Sequence, residues 1–189
     1  MSEDKVFNYE KAEKLLDPKR QETVPVDKVF ELLQLEGKEK VADLGAGNGY
    51  LTIPIAKETT DRVTAIDLQF EMLELLEARA VDEKLTNIDR MKSSLESLNL
   101  PDGAYERTVA AFVLHEVPDL HQSLVEAHRI LTEDGTLLIL DWERVEADQG
   151  PPINHRISAN HMAEHVAKAG FDVEVGHLNE EVYYIRATK

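Results

Sequence analysis

The stretch from Asp43 to Gly49, Asp-Leu-Gly-Ala-Gly-Asn-Gly, decides the fold class of this 189-residue chain. It continues the apolar run that starts at Val41, and its three glycines alternate with other residues. Glycines at the end of a buried strand let the backbone turn sharply and approach a ligand closely. The backbone amides that open the next helix favour an electronegative group. The stretch therefore predicts a strand, a ligand-binding turn and a helix in succession.

Helical and strand-like apolar periodicity alternate on both sides of this turn. The periodicity predicts helices over residues 24–35, 50–58, 70–81, 120–131 and 157–169. It predicts strands over residues 41–44, 62–66, 88–91, 108–113, 136–140, 171–175 and 182–187. Gly135 is predicted to close the fourth helix, and residues 143–155 to form a loop.

The order of these elements predicts the architecture. Strands without polar alternation that are joined by helices are buried on both faces, as in parallel sheets. The polar link over residues 178–181 is too short for a crossover, so the last two strands should form an antiparallel hairpin. We predict an α/β fold: a three-layer sandwich around a mostly parallel, seven-stranded sheet with an antiparallel last strand.

Composition limits the class of protein. The length suits one domain over residues 1–189, with an N-terminal segment at 1–22 before a core at 23–189. The chain has no cysteine, which excludes disulfides, thiolate metal sites and thiol catalysis. No apolar run reaches the roughly 18 residues of a membrane span, and the polar, acidic start is unlike a signal peptide. We expect a cytoplasmic protein.

The charge balance bears on the substrate. The formal net charge is −16, from 37 acidic and 21 basic residues, and no basic run exceeds two residues. Nucleic acids and anionic membrane surfaces would meet a repulsive field, so a small-molecule substrate is favoured. No pattern in the sequence predicts an oligomeric state.

The spacing D-x-G-x-G-x-G over Asp43–Gly49 resembles motif I of class I S-adenosylmethionine-dependent methyltransferases. Asp67 follows Gly49 by 18 residues, where those enzymes place an acidic residue on the ribose hydroxyls of the cofactor. The dinucleotide fingerprint instead needs a small residue in the sixth place from Gly45, and that place holds Tyr50. The resemblance implies a Rossmann-like fold, S-adenosylmethionine as cofactor and methyl transfer as the reaction.

Later motifs extend the resemblance to Asp141. Ser93–Glu96 stands where the family has Gly-Asp-Ala-Glu around the adenine, with Ser94 in the aspartate's place. Residues 98–103 and 111–117 are similar to the ubiquinone/menaquinone-methyltransferase-like branch, although Glu106 and Arg107 depart from its pattern at the start of the fourth strand. The cofactor-binding residues that the resemblance implies are Asp43, Gly45, Ala46, Gly47, Gly49, Asp67, Leu68, Ser94, Leu95, Ala111 and Phe112.

Several alternatives remain open at this point. Asp67 also suits the N-cap of the following helix, and the glycine turn also suits a tight connection without a ligand. Two other function classes share these motifs: a nicotinamide-dependent oxidoreductase, against which Tyr50 argues, and a module that binds S-adenosylmethionine without catalysis.

The catalytic candidates follow the fourth and fifth strands, since ligands of open α/β sheets bind at the carboxyl ends of the strands. His115 is the candidate general base, because its ordinary pKa suits proton removal near neutral pH. Glu116 and Asp141 are further candidates, and Trp142 suits either an acceptor pocket or the core.

Two other groups of residues have a functional and a structural interpretation. His161 and His165, four residues apart on a helix, form a possible metal pair, but a solvated helix face is favoured and no metal site is predicted. The segment Leu15–Pro18 and the aromatic residues Phe7 and Tyr9 are expected either to cover the cofactor or to form a frayed terminus.

Overall fold

The structure is a computed structural model that describes residues 8–147 and 149–189. Its helices are α1 (Pro18–Thr23), α2 (Val26–Leu33), α3 (Thr52–Glu58), α4 (Phe70–Asp82), α5 (Leu120–Ile130) and α6 (Ala159–Lys168), with 3₁₀ helices at Tyr9–Leu16 and Ile153–His155. Its strands are β1 (Val41–Leu44), β2 (Val63–Asp67), β3 (Ile88–Lys92), β4 (Tyr105–Ala111), β5 (Leu131–Trp142), β6 (Asp172–His177) and β7 (Val182–Thr188).

The seven strands form one sheet in the order β3-β2-β1-β4-β5-β7-β6. Strands β1 to β5 pair in parallel, and β7 inserts antiparallel between β5 and β6. The predicted fold class is confirmed, including the reversed last strand. The order changes direction at β1 and β4, so the ends of these two strands form the switch point at which ligands of such sheets bind.

Helices cover both faces of the sheet, because alternate residues of each central strand point to opposite sides. In β5, Leu137 and Ile139 pack in the cluster that contains α5 and α6. Leu138 and Leu140 pack in the cluster that contains α2 and α3. All four leucine and isoleucine side chains are fully buried, and each such burial contributes roughly 1.5–3 kcal/mol.

Strand β4 differs from its prediction at both ends, since it runs from Tyr105 to Ala111 rather than over residues 108–113. Glu106 accepts a hydrogen bond from the backbone N–H of Lys40 at 2.9 Å, and the Nε–H of Arg107 donates to the carbonyl of Leu33 at 2.6 Å. These two residues lie at the amino end of the sheet and bind its loops, and these contacts account for Glu106 in place of the family's aspartate and for Arg107 in place of an apolar residue.

The prediction that Gly135 closes the fourth helix is wrong. Helix α5 ends at Ile130, and β5 begins at Leu131 and runs through Gly135. The last carbonyls of the helix, of Arg129 and Ile130, accept hydrogen bonds from the backbone N–H groups of Gly103 and Ala104. The turn at 103–104 therefore ends the helix through tertiary contacts that no local sequence signal reveals.

The N-terminal segment is helical where it is described. The 3₁₀ helix Tyr9–Leu16 starts at Asn8, whose side chain accepts from the backbone N–H of Glu10, and Asp17 caps α1 in the same way. Pro25 separates α1 from α2, so the predicted helix at 24–35 begins only at Val26. Phe7, part of the predicted cover, lies outside the described residues. No helix within residues 8–147 and 149–189 has the length and hydropathy needed to cross a membrane.

Candidate cofactor and catalytic site

The glycine turn folds over the carboxyl end of β2. The backbone N–H groups of Gly45 and Ala46 both donate to the carbonyl of Ile66, at 2.8 and 2.9 Å. The N–H of Gly47 donates to Asp67, and that of Gly49 donates to the carbonyl of Ala46. All four amides are thus bonded within the protein, so none of these donors is left for a ligand.

Gly45 and Gly47 have different reasons to be glycine, although both have positive φ, +75° and +54°. A Cβ on Gly45 would lie 2.5 Å from the side chain of Val113, so this glycine is required by packing. A Cβ on Gly47 would meet only Leu15 Cδ1 at the ordinary contact distance of 3.4 Å. Gly47 therefore leaves backbone open beside the N-terminal segment, where a cofactor can approach.

Asp67 ends β2 and holds the turn in place. Its Oδ2 accepts from the N–H of Gly47 at 2.8 Å, and its Oδ1 accepts from the N–H of Gln69 at 2.8 Å. Burial raises the pKa of Asp67, and hydrogen bonds from the backbone of Gln69, Gly47 and Leu68 oppose the rise. A carboxylate offers about four lone pairs, so the two oxygens can still accept from a vicinal diol. The alternative that Asp67 is the N-cap of α4 is wrong, because the N-cap is Gln69 and Asp67, two residues earlier, accepts from its N–H. The ribose-binding role stays a prediction.

Replacing Asp67 by alanine should weaken cofactor binding at least tenfold, because hydrogen bonds to a charged partner contribute roughly 1.5–3 kcal/mol. The melting temperature should also fall, since the N–H groups of Gly47 and Gln69 lose their acceptor. Calorimetric titration with S-adenosylhomocysteine measures the first effect. Asp172→Ala, at an exposed carboxylate at the start of β6, is the matched control. Unchanged affinity with a lowered melting temperature would restrict Asp67 to bracing the turn.

Asp43 lies below the turn, fully enclosed at the end of β1. Burial raises the pKa of Asp43 to about 7, and the negative charge of Asp67 adds to this rise. A hydrogen bond that the hydroxyl of Thr52 donates at 2.6 Å opposes the rise. The two carboxylates end neighbouring strands and give this part of the site a negative potential. Asp43 is enclosed, and its hydrogen bond with Thr52 fixes the first turn of α3. Its predicted role toward the cofactor stays a prediction.

The predicted adenine side lies after β2 and β3. Leu68 is 50 % exposed beside Asp67, which leaves an apolar surface for a ring to cover. The hydroxyl of Ser94 donates to the carboxylate of Glu96 and accepts from its backbone N–H at 3.2 Å, so one lone pair remains for an amino group. The side chain of Leu95 is buried in the core, which leaves only its backbone for a cofactor.

The end of β4 carries an unusual backbone conformation. Ala111 is the last residue of the strand, and Phe112 has a φ of +59°, which is rare for a residue with a bulky side chain. The ring of Phe112 packs against that of Trp142 at 4.9 Å between centroids. Trp142 is half-buried at the carboxyl edge of the sheet, so it belongs to the wall of this region rather than to the interior. Strained positions of this kind cluster at ligand sites.

His115 and Asp141, both candidates from the sequence, form a buried pair. The distance from Nδ1 of His115 to Oδ1 of Asp141 is 2.7 Å, and the same oxygen accepts from the N–H of Trp142 at 2.8 Å. The side chains are 5 % and 2 % exposed. When the Nδ1–H donates to Asp141, Nε2 is the basic nitrogen, and the nearest carboxylate oxygen, of Glu116, lies at 3.7 Å. The pair has the geometry of an oriented general base.

The pKa of His115 is raised above its ordinary value. Burial by itself would lower this pKa, but the charge of Asp141, its hydrogen bond and the charge of Glu116 outweigh burial, and Arg156 opposes the rise. Tyr183, which pairs with Asp141 across β5 and β7, was not found by sequence reasoning. Burial and the charges of Asp141 and Glu143 raise the pKa of its hydroxyl, so it stays protonated at neutral pH.

His161 and His165 lie one turn apart on α6, with His161 exposed and His165 partly buried. The rings of His161 and His165 stack with centroids 5.2 Å apart on α6. Within the described ranges, no group of three or more His, Cys, Asp or Glu side chains is arranged to hold a metal ion.

The N-terminal segment packs on the glycine turn. The side chain of Asn48 donates to the carbonyl of Ala12 at 2.7 Å, and Leu15 lies against Gly47. The hydroxyl of Tyr50 donates to the carbonyl of Val24 at 2.8 Å. The side chain that departs from the dinucleotide fingerprint thus ties the turn to the N-terminal helices.

Comparison with known proteins identifies the family. Residues 42–139, slightly more than half of the chain, match the methyltransferase domain family. The chain is 31 % identical over 112 residues to the ubiquinone/menaquinone biosynthesis C-methyltransferase UbiE of Rickettsia massiliae (strain Mtu5), covering 56 % of this chain and 45 % of that protein. It therefore spans about half the length of the curated relatives it matches.

Two solved structures are similar in fold to this chain. A SAM-dependent methyltransferase from Aquifex aeolicus superposes with a TM-score of 0.91 at 28 % identity, over 97 % of this chain and 99 % of that one. The [4+2]-cyclase SpnF superposes with a TM-score of 0.79 at 19 % identity, over 87 % and 79 %, a likeness that shows the fold alone.

The fold and the site define a class I S-adenosylmethionine-dependent methyltransferase. The chain belongs to the methyltransferase domain family, and S-adenosylmethionine is the cofactor of this class.

Proposed function

We propose that this protein transfers a methyl group from S-adenosylmethionine to a small molecule whose accepting atom must lose a proton. The observation that carries the proposal is the buried pair of His115 and Asp141 at the ends of β4 and β5. A direct methyl transfer needs a general base only when the acceptor is protonated, as in a hydroxyl or an acidic carbon.

The residues around the glycine turn fit the cofactor. Asp67 has free lone pairs for the ribose hydroxyls, Leu68 and Ser94 lie on the adenine side, and Gly47 leaves room for close approach. We propose that Ala111 and Phe112 line the methionyl side, and that the helical segment up to residue 22 closes over the cofactor. When bound, S-adenosylmethionine supplies an electrophilic methyl group on a positively charged sulfur, which the nearby carboxylates of Asp43 and Asp67 attract.

The pair supplies the base. Asp141 orients the imidazole through Nδ1 and stabilises its charged form, so Nε2 takes the proton from the acceptor as the methyl group arrives. This removes the need for a free anion of the acceptor before transfer. Alignment of the acceptor by the surrounding walls contributes several kcal/mol more to the barrier lowering.

The loop after β5 suggests the acceptor's side of the site. The guanidinium of Arg156 donates to the carbonyls of Pro151, Val145 and Gln149 and so organises this loop. An open cavity of about 300 Å³ lies at this loop, and its lining is mixed, with Val145 and Ile153 beside the charged Glu146 and Arg156. The printed name of the Rickettsia relative, a C-methyltransferase of quinone biosynthesis, is compatible with a carbon acceptor.

The net charge of −16 disfavours a nucleic acid as substrate. The cytoplasmic location stays a prediction from the sequence. A nicotinamide oxidoreductase is disfavoured because Tyr50 occupies the place of the small residue and binds Val24. A module that binds the cofactor without catalysis would not need an oriented base.

The experiment combines binding with turnover on the purified chain. S-adenosylmethionine and S-adenosylhomocysteine should each raise the melting temperature. At a hundredfold excess over Kd, a bound ligand increases the free energy of unfolding by about 2.7 kcal/mol. A panel of phenols, quinols and carbon acids should then yield S-adenosylhomocysteine with at least one member. A rise in melting temperature with NAD and none with either adenosyl ligand would overturn the proposal.

A further inference from the structure

Arg20, in α1, is a largely buried cation that the site described so far does not use. Its guanidinium carbon lies 4.9 Å from the ring centroid of Tyr50 and 4.8 Å from that of Phe112. Its Nε is buried without a hydrogen-bond partner. Among the described residues, no carboxylate lies within the 4.0 Å of an ion pair with it. The two rings hold the planar group in place and leave its donors unused.

Burying the guanidinium of Arg20 without an anion beside it is unfavourable in free energy. Burial lowers the pKa of Arg20, which reports the penalty on its charge. Stacking on aromatic rings compensates only part of such a penalty, because cation–π contacts contribute roughly 0.5–2 kcal/mol. Buried guanidinium groups are normally paired with carboxylates or phosphates, which match their fork of donors.

The position of Arg20 in the fold indicates which anion would lie beside it. Tyr50 follows the glycine turn, and Phe112 follows β4, on the side of β1 opposite to β2 and Asp67. Two strand spacings, about 10 Å, separate the ends of β2 and β4. A cofactor whose ribose binds Asp67 therefore extends its amino-acid part toward Phe112, where its carboxylate meets a cation in an otherwise acidic site.

We propose that Arg20 binds the carboxylate of the methionyl part of S-adenosylmethionine and so selects the intact cofactor. The inference rests on the proposed function. It gives helix α1 a direct part in cofactor binding, in addition to covering the site. The Tyr50 and Phe112 rings are positioning groups that fix the plane of the guanidinium.

The test compares S-adenosylmethionine with decarboxylated S-adenosylmethionine, which lacks only the carboxylate, by calorimetry without acceptor. Arg20→Met should weaken binding of the first ligand by about 10- to 100-fold and that of the second by less than about twofold. Lys19→Met, an exposed residue of the same helix, is the matched control and should change neither affinity. Arg20→Lys keeps a charge without the planar fork, so it should lose part of the affinity for S-adenosylmethionine and none of that for the decarboxylated ligand. This variant also tests the inference if Arg20→Met does not fold.

Three results would overturn the inference. These are an unchanged affinity of Arg20→Met for S-adenosylmethionine, an equal loss for both ligands, and an effect confined to the KM of an acceptor that carries its own carboxylate. Failure of the wild-type chain to bind either ligand would instead contradict the proposed function, so the two failures are distinguishable.

Discussion

His115→Ala is expected to lower turnover by about 10²–10⁴-fold while leaving the affinity for S-adenosylhomocysteine nearly unchanged. The reason is that Nε2 of His115 is the basic nitrogen of the buried pair, whereas its hydrogen bond and ion pairs within the described residues go to Asp141 and Glu116 and not to the glycine turn or Asp67. Turnover with the best acceptor and affinity by calorimetry are to be measured on the same folded preparation. His121→Ala, at an exposed histidine of α5, is the control and should be fully active.

The pH profile separates a base from a packing residue. Protonation of His115 removes the base, so wild-type turnover should fall on acidification. Because the charge and the hydrogen bond of Asp141 and the charge of Glu116 together outweigh burial and raise the pKa of His115, the fall should centre above the ordinary value of about 6.5. Asp141→Asn should move the fall to lower pH and reduce turnover. Full turnover in His115→Ala, or a profile that Asp141→Asn leaves in place, would exclude the role.

Gly47→Val is expected to abolish cofactor binding in a folded protein. The φ of +54° at Gly47 is unfavourable for a β-branched residue, and the new side chain would occupy the space between the turn and Leu15. It would also displace the N–H that Gly47 donates to Asp67. Calorimetric titration with S-adenosylhomocysteine measures the effect.

The control for Gly47→Val is Gly103→Val. Gly103 has a similar φ of +59° in the turn before β4, at the opposite edge of the sheet, and a Cβ there would meet no atom closer than 3.9 Å. It should show the cost of backbone strain, roughly 1–3 kcal/mol, without loss of binding. Equal affinities of the two variants would show that the backbone of Gly47 is not part of the cofactor site.

The sequence predicts the fold well where the signals are local. Residues 137–140 of β5 form a continuous apolar run, and the glycines after Leu44 indicate the turn directly. The sequence does not reveal what ends α5, because the last carbonyls of the helix bind Gly103 and Ala104, 26 residues away in the chain. The polar residues Glu106 and Arg107 obscured the start of β4 for the same reason, since their partners Lys40 and Leu33 lie on distant segments.

The sequence predicts several residues of the candidate site, but it does not predict which of them contact each other. Periodicity places His115 and Asp141 at the ends of two strands, but only the parallel register of β4 and β5 brings them to 2.7 Å. The sequence suits Asp67 to a capping role or to a ligand-binding role. The N-cap of α4 is Gln69 instead, the oxygens of Asp67 accept from the N–H groups of Gly47 and Gln69, and ribose binding stays a prediction. Arg20 carries no motif at all, because its importance comes from the rings of Tyr50 and Phe112 that enclose it.

The most direct test of the cofactor site is a crystal structure of the full chain with S-adenosylhomocysteine. We expect both ribose hydroxyls within about 2.6–3.2 Å of the Asp67 carboxylate, with the sulfur between the glycine turn and Phe112 and facing His115. A ligand bound elsewhere, or one whose ribose makes no contact with Asp67, would contradict the account.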